Sequence, residues 1–147
     1  MAESIVPMST EHLEPCVELY MKVFNSEPWN ESWTPETAKE RLADLMHTPH
    51  FMGFFWENHG TPIGFIAGHR KVTDQGPAFY LAELCINNAI QGKGYGSQLL
   101  RFLEEQLRKN NVKSLYLLTS HGGPAESFYR KNGYAVHHNR MVMGKKL

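Results

Sequence analysis

Apolar positions recur along the chain with two different periods, and the changes of period mark out its elements. Leu13, Val17, Tyr20, Met21 and Phe24 fall at helical spacing and predict a helix over about residues 12–24. Pro15 lies in its first turn, where a missing amide does least harm. Before that helix, Ser4 to Met8 reads as a short strand. Thr34-Pro35-Glu36 opens a second helix, with Thr34 as N-cap and Pro35 at the first helical position; Ala38, Leu42, Leu45 and Met46 line one of its faces. Phe51 to Trp56 and Ile63 to Lys71 read as strands of a hairpin through Asn58-His59-Gly60. After the turn Asp74 to Pro77 comes a mostly apolar strand, Phe79 to Ile86. Tyr95, Leu99, Phe102, Leu103 and Leu107 predict a helix to about Lys109, its solvated face covered by Glu104–Arg108 and Glu105–Lys109 pairs. Lys113 to Thr119 has the pattern of a buried strand, and Pro124 to Lys131 that of a short helix ended by Asn132-Gly133. Tyr134 to His137 and Arg140 to Lys146 read as two final strands. The resulting order, β-α-α-β-β-β-α-β-α-β-β, is a mixed α/β arrangement with early antiparallel hairpins and one β-α-β crossover.

Composition narrows the classes. The 147 residues suit one domain spanning 1–147, with no repeat or linker interrupting them, and 41% apolar with 20% charged residues is ordinary for a globular chain. Lys plus Arg equals Asp plus Glu at 15 each, so the basic excess that phosphate neutralisation demands of a nucleic-acid binder is missing. The expected partner is a small molecule. Cys16 and Cys85 form no CxxC, no Cys/His/acid set suggests a metal, and no leader or membrane-length apolar run is apparent. A cytoplasmic location, away from nucleic acid and membrane, is the expectation.

Gln91-Gly92-Lys93-Gly94-Tyr95-Gly96 leaves a strand and opens a helix. Its glycines let a ligand approach the backbone, and the helix start offers unpaired amides and a positive dipole end to a pyrophosphate. Lys93 adds mobile positive charge. A Walker loop is absent, and the Rossmann reading fails on glycine spacing and on the apolar Leu115-Tyr116-Leu117 where a ribose-binding acid should stand. What fits is Gln/Arg-x-x-Gly-x-Gly/Ala. With it, Ala125-Glu126-Ser127-Phe128-Tyr129-Arg130-Lys131-Asn132-Gly133-Tyr134 matches Ala-x-x-x-Tyr-x-x-x-Gly-Phe/Tyr, one strand and one loop later.

On these two segments the chain resembles the GCN5-related N-acetyltransferases (GNAT), in element order throughout and in detail over about residues 79–147. The resemblance implies a GNAT-like acyl-CoA N-acyltransferase fold: a central, mostly antiparallel sheet with splayed middle strands, flanked by helices. It implies acetyl-CoA as acetyl donor, held by Gln91, Gly92, Lys93, Gly94, Tyr95, Gly96 and Ser97, by Ala125 and Phe128, and by the backbone of Leu84, Cys85 and Ile86. Family members often dimerise, which leaves a homodimer open without fixing the oligomer.

Acetyl transfer to an amine requires a base for the ammonium, a donor for the oxyanion and an acid for the departing thiolate. Glu83 stands in the apolar run Ala82 to Ile86, where a carboxylate is costly unless it faces a polar cleft, and partial desolvation would raise its pKa. It is the candidate base; a salt-bridged edge residue is the competing reading. Tyr129 is the candidate acid through its family counterpart near the CoA sulfur, against a packing role. Glu27, Trp29, Glu31 and Trp33 interleave acids with aromatics, which suits a cationic amine by charge and ring face; the alternative has both tryptophans packing the two helices together. The leading reading is an N-acetyltransferase for a small cationic primary amine, working by direct attack with no acyl-enzyme. A peptide N-terminus or lysine as acceptor, and a non-catalytic acyl-CoA sensor, are the alternatives.

Overall fold

The computed structural model describes residues 3–147. Their contacts form two compact units, one reaching to Leu117 and the other Leu118–Leu147. The first unit runs β1 (Glu3–Pro7), a 3-10 turn (Thr10–His12), α1 (Leu13–Phe24), α2 (Pro35–Met46), β2 (Phe51–Asn58), β3 (Thr61–Thr73), β4 (Gly76–Ile86), α3 (Tyr95–Lys109) and β5 (Ser114–Tyr116). The five strands form one sheet in sequence order: β1 to β4 pair antiparallel, and β4 pairs β5 in parallel across the α3 crossover. The mixed, mostly antiparallel sheet flanked by helices is the one the sequence implies.

Its two faces are covered by different helices. Cys16, Val17, Leu19, Tyr20 and Val23 of α1 and Ala38 and Leu42 of α2 pack with Phe55, Phe65, Ala67 and Cys85 of the sheet. Against the other face α3 buries Leu99, Leu100, Leu103 and Leu107, with Phe102 edge-on to Phe54 and Tyr95 edge-on to Trp56. Helix α2 starts as its sequence specifies. Thr34 Oγ1 accepts from the Thr37 amide at 3.1 Å, the Thr34 amide donates to Thr37 Oγ1 at 3.0 Å, and Pro35 occupies the first turn.

Two features of the sheet build the site. Pairing of β4 with β5 covers only Ala78, Phe79 and Tyr80, because β5 ends at Tyr116, so residues 81–86 are paired on the β3 side alone among the described residues. The β3–β4 register also jumps, from Ala67↔Glu83 to Gly68↔Leu81, leaving one extra residue, Ala82, in β4 as a bulge. Gly68 makes the close approach possible: a Cβ there would run into the Tyr80 carbonyl.

The second unit holds α4 (Pro124–Lys131) as expected, but no strand follows it. The expected strands at Tyr134 to His137 and Arg140 to Lys146 are not formed. That segment has no ladder partner among the described residues, and Met141, Val142 and Met143 stand 80%, 74% and 84% exposed. An apolar run becomes a strand only by pairing and packing. The expected strand over Lys113 to Thr119 is likewise cut to Ser114–Tyr116. No helix among the described residues is long and apolar enough to cross a membrane.

Candidate active site

The bulge at Ala82 decides which way Glu83 points. Simple alternation would put Tyr80 and Glu83 on opposite faces of β4. With one residue inserted between them they share a face, and the Tyr80 phenol feels the charges of both Glu83 and Arg41. Glu83 is thereby turned towards α1 and α2, where it is 7% exposed. Its Oε2 accepts from the Tyr20 hydroxyl at 3.2 Å and from Arg41 Nε at 3.1 Å. Oε1 receives no hydrogen bond among the described residues. Burial raises the Glu83 pKa above the ordinary carboxylate value, outweighing the opposing pull of Arg41 and the Tyr20 hydrogen bond. Burial and the Glu83 charge together raise Tyr20, which keeps its phenol protonated as a donor. Glu83 is thus ion-paired to Arg41 and lines a cavity at once.

That cavity, about 630 Å³, is lined by Tyr20, Phe24, Trp29, Glu31, Ser32, Trp33, Thr37, Arg41 and Glu83. The α1–α2 loop that forms much of its wall is fixed at both ends. Asn25 donates from Nδ2 to the Trp33 carbonyl at 2.9 Å and accepts the Trp33 amide on Oδ1 at 2.8 Å, and the Glu31 amide donates to the Phe24 carbonyl at 2.8 Å. Trp33 Nε1 donates to Glu31 Oε1 at 2.6 Å and so holds that carboxylate in place. Trp33 meets Tyr20 edge-on at 5.1 Å and lies under the Arg41 guanidinium at 5.5 Å, while Trp29 tilts against Phe24 at 5.4 Å. The two tryptophans thus pack on the core and line the cavity at once. Glu27 is exposed and does not line it.

The glycine loop starts where β4 ends. Buried Asn87 ties the junction together: its amide donates to the Ile63 carbonyl at 2.8 Å, its Nδ2 to the Pro62 carbonyl at 2.9 Å, and its Oδ1 accepts from Lys22 Nζ at 2.9 Å and the Ala89 amide at 3.0 Å. Since the Asn87 amide faces β3, antiparallel alternation turns the Leu84 and Ile86 amides to the edge that β5 leaves uncovered. Gln91 folds back, Nε2 donating to the Ile86 carbonyl at 3.1 Å. Gly92 and Gly94 take φ of 88° and 79°, a conformation that disfavours any side chain, and Gly94 is the N-cap of α3 with no side-chain cap bond. Residues 91–94, which lead into the first turn of α3, are exposed. Tyr95 packs on Trp56, and Gly96 and Ser97 are half-buried in the first turn. Cys85 is buried, 3.9 Å from the Leu19 carbonyl, and burial pushes its thiol far up; Cys16 is pushed up to about 12. Neither is an activated nucleophile.

Within the second unit, Glu126 accepts from the Gly122 amide at 2.6 Å and Arg130 Nε at 2.8 Å, which lower its pKa. Ala125 and Phe128 are half-buried on α4, and Tyr129 meets Phe128 at 5.1 Å and Tyr134 at 5.7 Å. No group of three or more metal-ligating side chains occurs among the described residues.

The first unit therefore brings Glu83, Trp29, Glu31 and Trp33 to one cavity and sets the glycine loop at the end of the strand that carries Glu83. Tyr20, Phe24, Ser32, Thr37 and Arg41 complete the cavity, and Asn87 with Lys22 anchors the loop; none of these stood out in the sequence. For Arg41 the available signal was a cation between the buried positions Ala38 and Leu42.

A sequence model of the acetyltransferase (GNAT) family matches residues 13–134. The uncharacterized N-acetyltransferase YycN of Bacillus subtilis (strain 168) is 25% identical over the whole of both chains. A possible acetyltransferase from Clostridium difficile 630 superposes with a TM-score of 0.85 at 10% identity, over 100% of this chain and 99% of that one. The aminoglycoside N-acetyltransferase AAC(6')-Iy in complex with CoA gives 0.75 at 16%, over 98% and 94%. An aminoglycoside acetyltransferase from an uncultured soil metagenome, in complex with sisomicin, gives 0.76 at 14%, over 99% and 97%. At these identities the solved structures speak for the fold.

Proposed function

Because the chain belongs to the acetyltransferase (GNAT) family, we propose that it transfers the acetyl group of acetyl-CoA to a primary amine of a small cationic molecule. The observation that carries this reading is the placing of Glu83: a buried carboxylate, one oxygen of which receives no hydrogen bond among the described residues, lining an aromatic cavity. It sits on the strand that runs into the glycine loop. Acetyl-CoA supplies the activated thioester as donor substrate. The amides at the start of α3 suit its pyrophosphate, and the uncovered amides of Leu84 and Ile86 suit its pantetheine arm and the thioester oxygen.

The rings of Phe24, Trp29, Trp33 and Tyr20 and the Glu31 carboxylate attract a cationic acceptor. Glu83 takes the proton that frees the nitrogen lone pair; its raised pKa brings the carboxylate closer to the basicity this needs. Nitrogen then bonds to the thioester carbon, an amide on the β4 edge stabilises the oxyanion, the nitrogen gives up its second proton to solvent, and the carbon–sulfur bond breaks. Tyr129 is proposed as the acid that protonates the departing thiolate, on its match to the family motif. The test is an amine panel assayed by release of free CoA, with Glu83→Gln in parallel. Turnover of small cationic amines, lost in the variant, supports the reading. Acetyl-CoA binding with no turnover of any amine would favour a sensor, and turnover of peptides alone a protein acceptor.

A further inference from the structure

We propose that Arg41 is a positioning residue for Glu83: with the Tyr20 hydroxyl it holds Oε2, leaving Oε1 as the oxygen that takes the acceptor's proton. The inference rests on the base assignment above. A carboxylate at the end of three rotatable bonds can present either oxygen or turn both away from an incoming amine. Here Arg41 Nε at 3.1 Å and Tyr20 Oη at 3.2 Å converge on one oxygen from two different helices. Two bonds to one atom fix the plane of the group more firmly than either could alone.

Arg41 can do this because it is itself held. Its side chain is 54% exposed, and an arginine that open would ordinarily sample many rotamers. It rises from α2 between the buried anchors Ala38 and Leu42, and its guanidinium lies 5.5 Å over the Trp33 ring. Trp33 is fixed in turn by Asn25 and Glu31. The chain of restraint runs from the loop through the indole to the guanidinium, and from there to the carboxylate.

Charge adds a second consequence. The groups that act on Glu83 are Tyr20 from α1, Arg41 from α2, Glu31 from the α1–α2 loop, and Tyr80 and Cys85 on its own strand. Arg41 is the only cation among them. Burial and Glu31 favour the protonated form; Arg41 opposes them and keeps Glu83 available as a base down to lower pH.

The test follows the Glu83 carboxyl carbon by NMR in enzyme labelled at glutamate, the resonance assigned by its loss in Glu83→Gln, alongside the pH profile of kcat/KM. In Arg41→Gln the carboxyl midpoint should move to higher pH and the acidic limb of the profile should move with it. The rate deficit should be about tenfold larger at pH 6 than at pH 9. Arg41→Lys should bring both back towards wild type, and it carries the test, with a smaller shift in the same direction, if Arg41→Gln does not fold. An unmoved midpoint in a folded Arg41→Gln enzyme overturns the proposal whatever Glu83 does. A midpoint that moves while the rate profile stays put removes Glu83 as the base, and the positioning role falls with it. Because the titration needs no turnover, failure to find an amine substrate is read separately from failure of the Arg41–Glu83 coupling.

Discussion

The cavity at Glu83 and the loop at Gly94 lie at opposite ends of the second half of β4, and they are built from different materials. The cavity is made of side chains from α1, the following loop, α2 and β4, and its central charge is shielded from water. The loop is made of consecutive backbone, exposed, with nothing within 4 Å of where a Cβ on Gly92 would stand. In a desolvated site each dipole and charge acts at full strength, so removing one side chain changes the chemistry. In a backbone site the useful groups survive most substitutions, and harm comes from adding something. Deletions should therefore injure the cavity and additions the loop.

The largest effect should come from Glu83→Gln, which keeps shape and removes the base. kcat/KM should fall by about 10²-fold or more. The wild-type profile should lose activity as pH falls through the Glu83 pKa, which burial holds above the ordinary carboxylate value, and the variant should lose that limb. Steady-state rates across the pH range check both; a wild-type profile in the variant would mean that water or another group takes the proton. On the loop side, Gly94→Glu adds bulk and negative charge at a left-handed N-cap facing the proposed pyrophosphate site. CoA affinity by calorimetry should fall roughly 10²-fold, with the circular dichroism spectrum unchanged. Equal affinity would move the phosphates elsewhere. Tyr129→Phe should lower kcat roughly 10–100-fold with CoA binding intact; an unaltered kcat with chemistry rate-limiting would make Tyr129 a packing residue.

The same contrast explains what the sequence could reveal. Gln91 to Gly96 is contiguous, and its chemistry lies in the glycines themselves, so spacing alone exposed it. Helices α1, α2, α3 and α4 followed from periodicity and caps, since those signals are local. Arg41 and Tyr20 reach Glu83 from 42 and 63 residues away, and each looked ordinary within its own helix. The bulge at Ala82 was hidden because an extra residue in β4 has meaning only against the register of β3. The unformed strands after α4 fail for the same reason: Met141-Val142-Met143 has the composition of a strand, while pairing depends on a neighbour its own sequence does not name.

The smallest effect separates two acids that the loop's composition treats alike. Glu31 lines the cavity with Oε1 fixed by the Trp33 indole at 2.6 Å, and among the described residues no Lys, Arg or His pairs with it. Glu27, four positions earlier, is exposed like Glu31 but lies outside the cavity lining. A carboxylate held in place beside aromatic rings attracts a cation more strongly than one free in water, where solvent and salt screen it. Glu31→Gln should therefore raise KM for cationic amines by about three- to fivefold, the range of a partly screened ion pair, with kcat little changed. Glu27→Gln should leave KM within about twofold, as expected of a solvated surface charge. Steady-state kinetics on the same amine with both variants decides it. Equal effects would show that the acids act through the net charge of the loop, and a larger effect at Glu27 would mean that the acceptor reaches beyond the cavity wall.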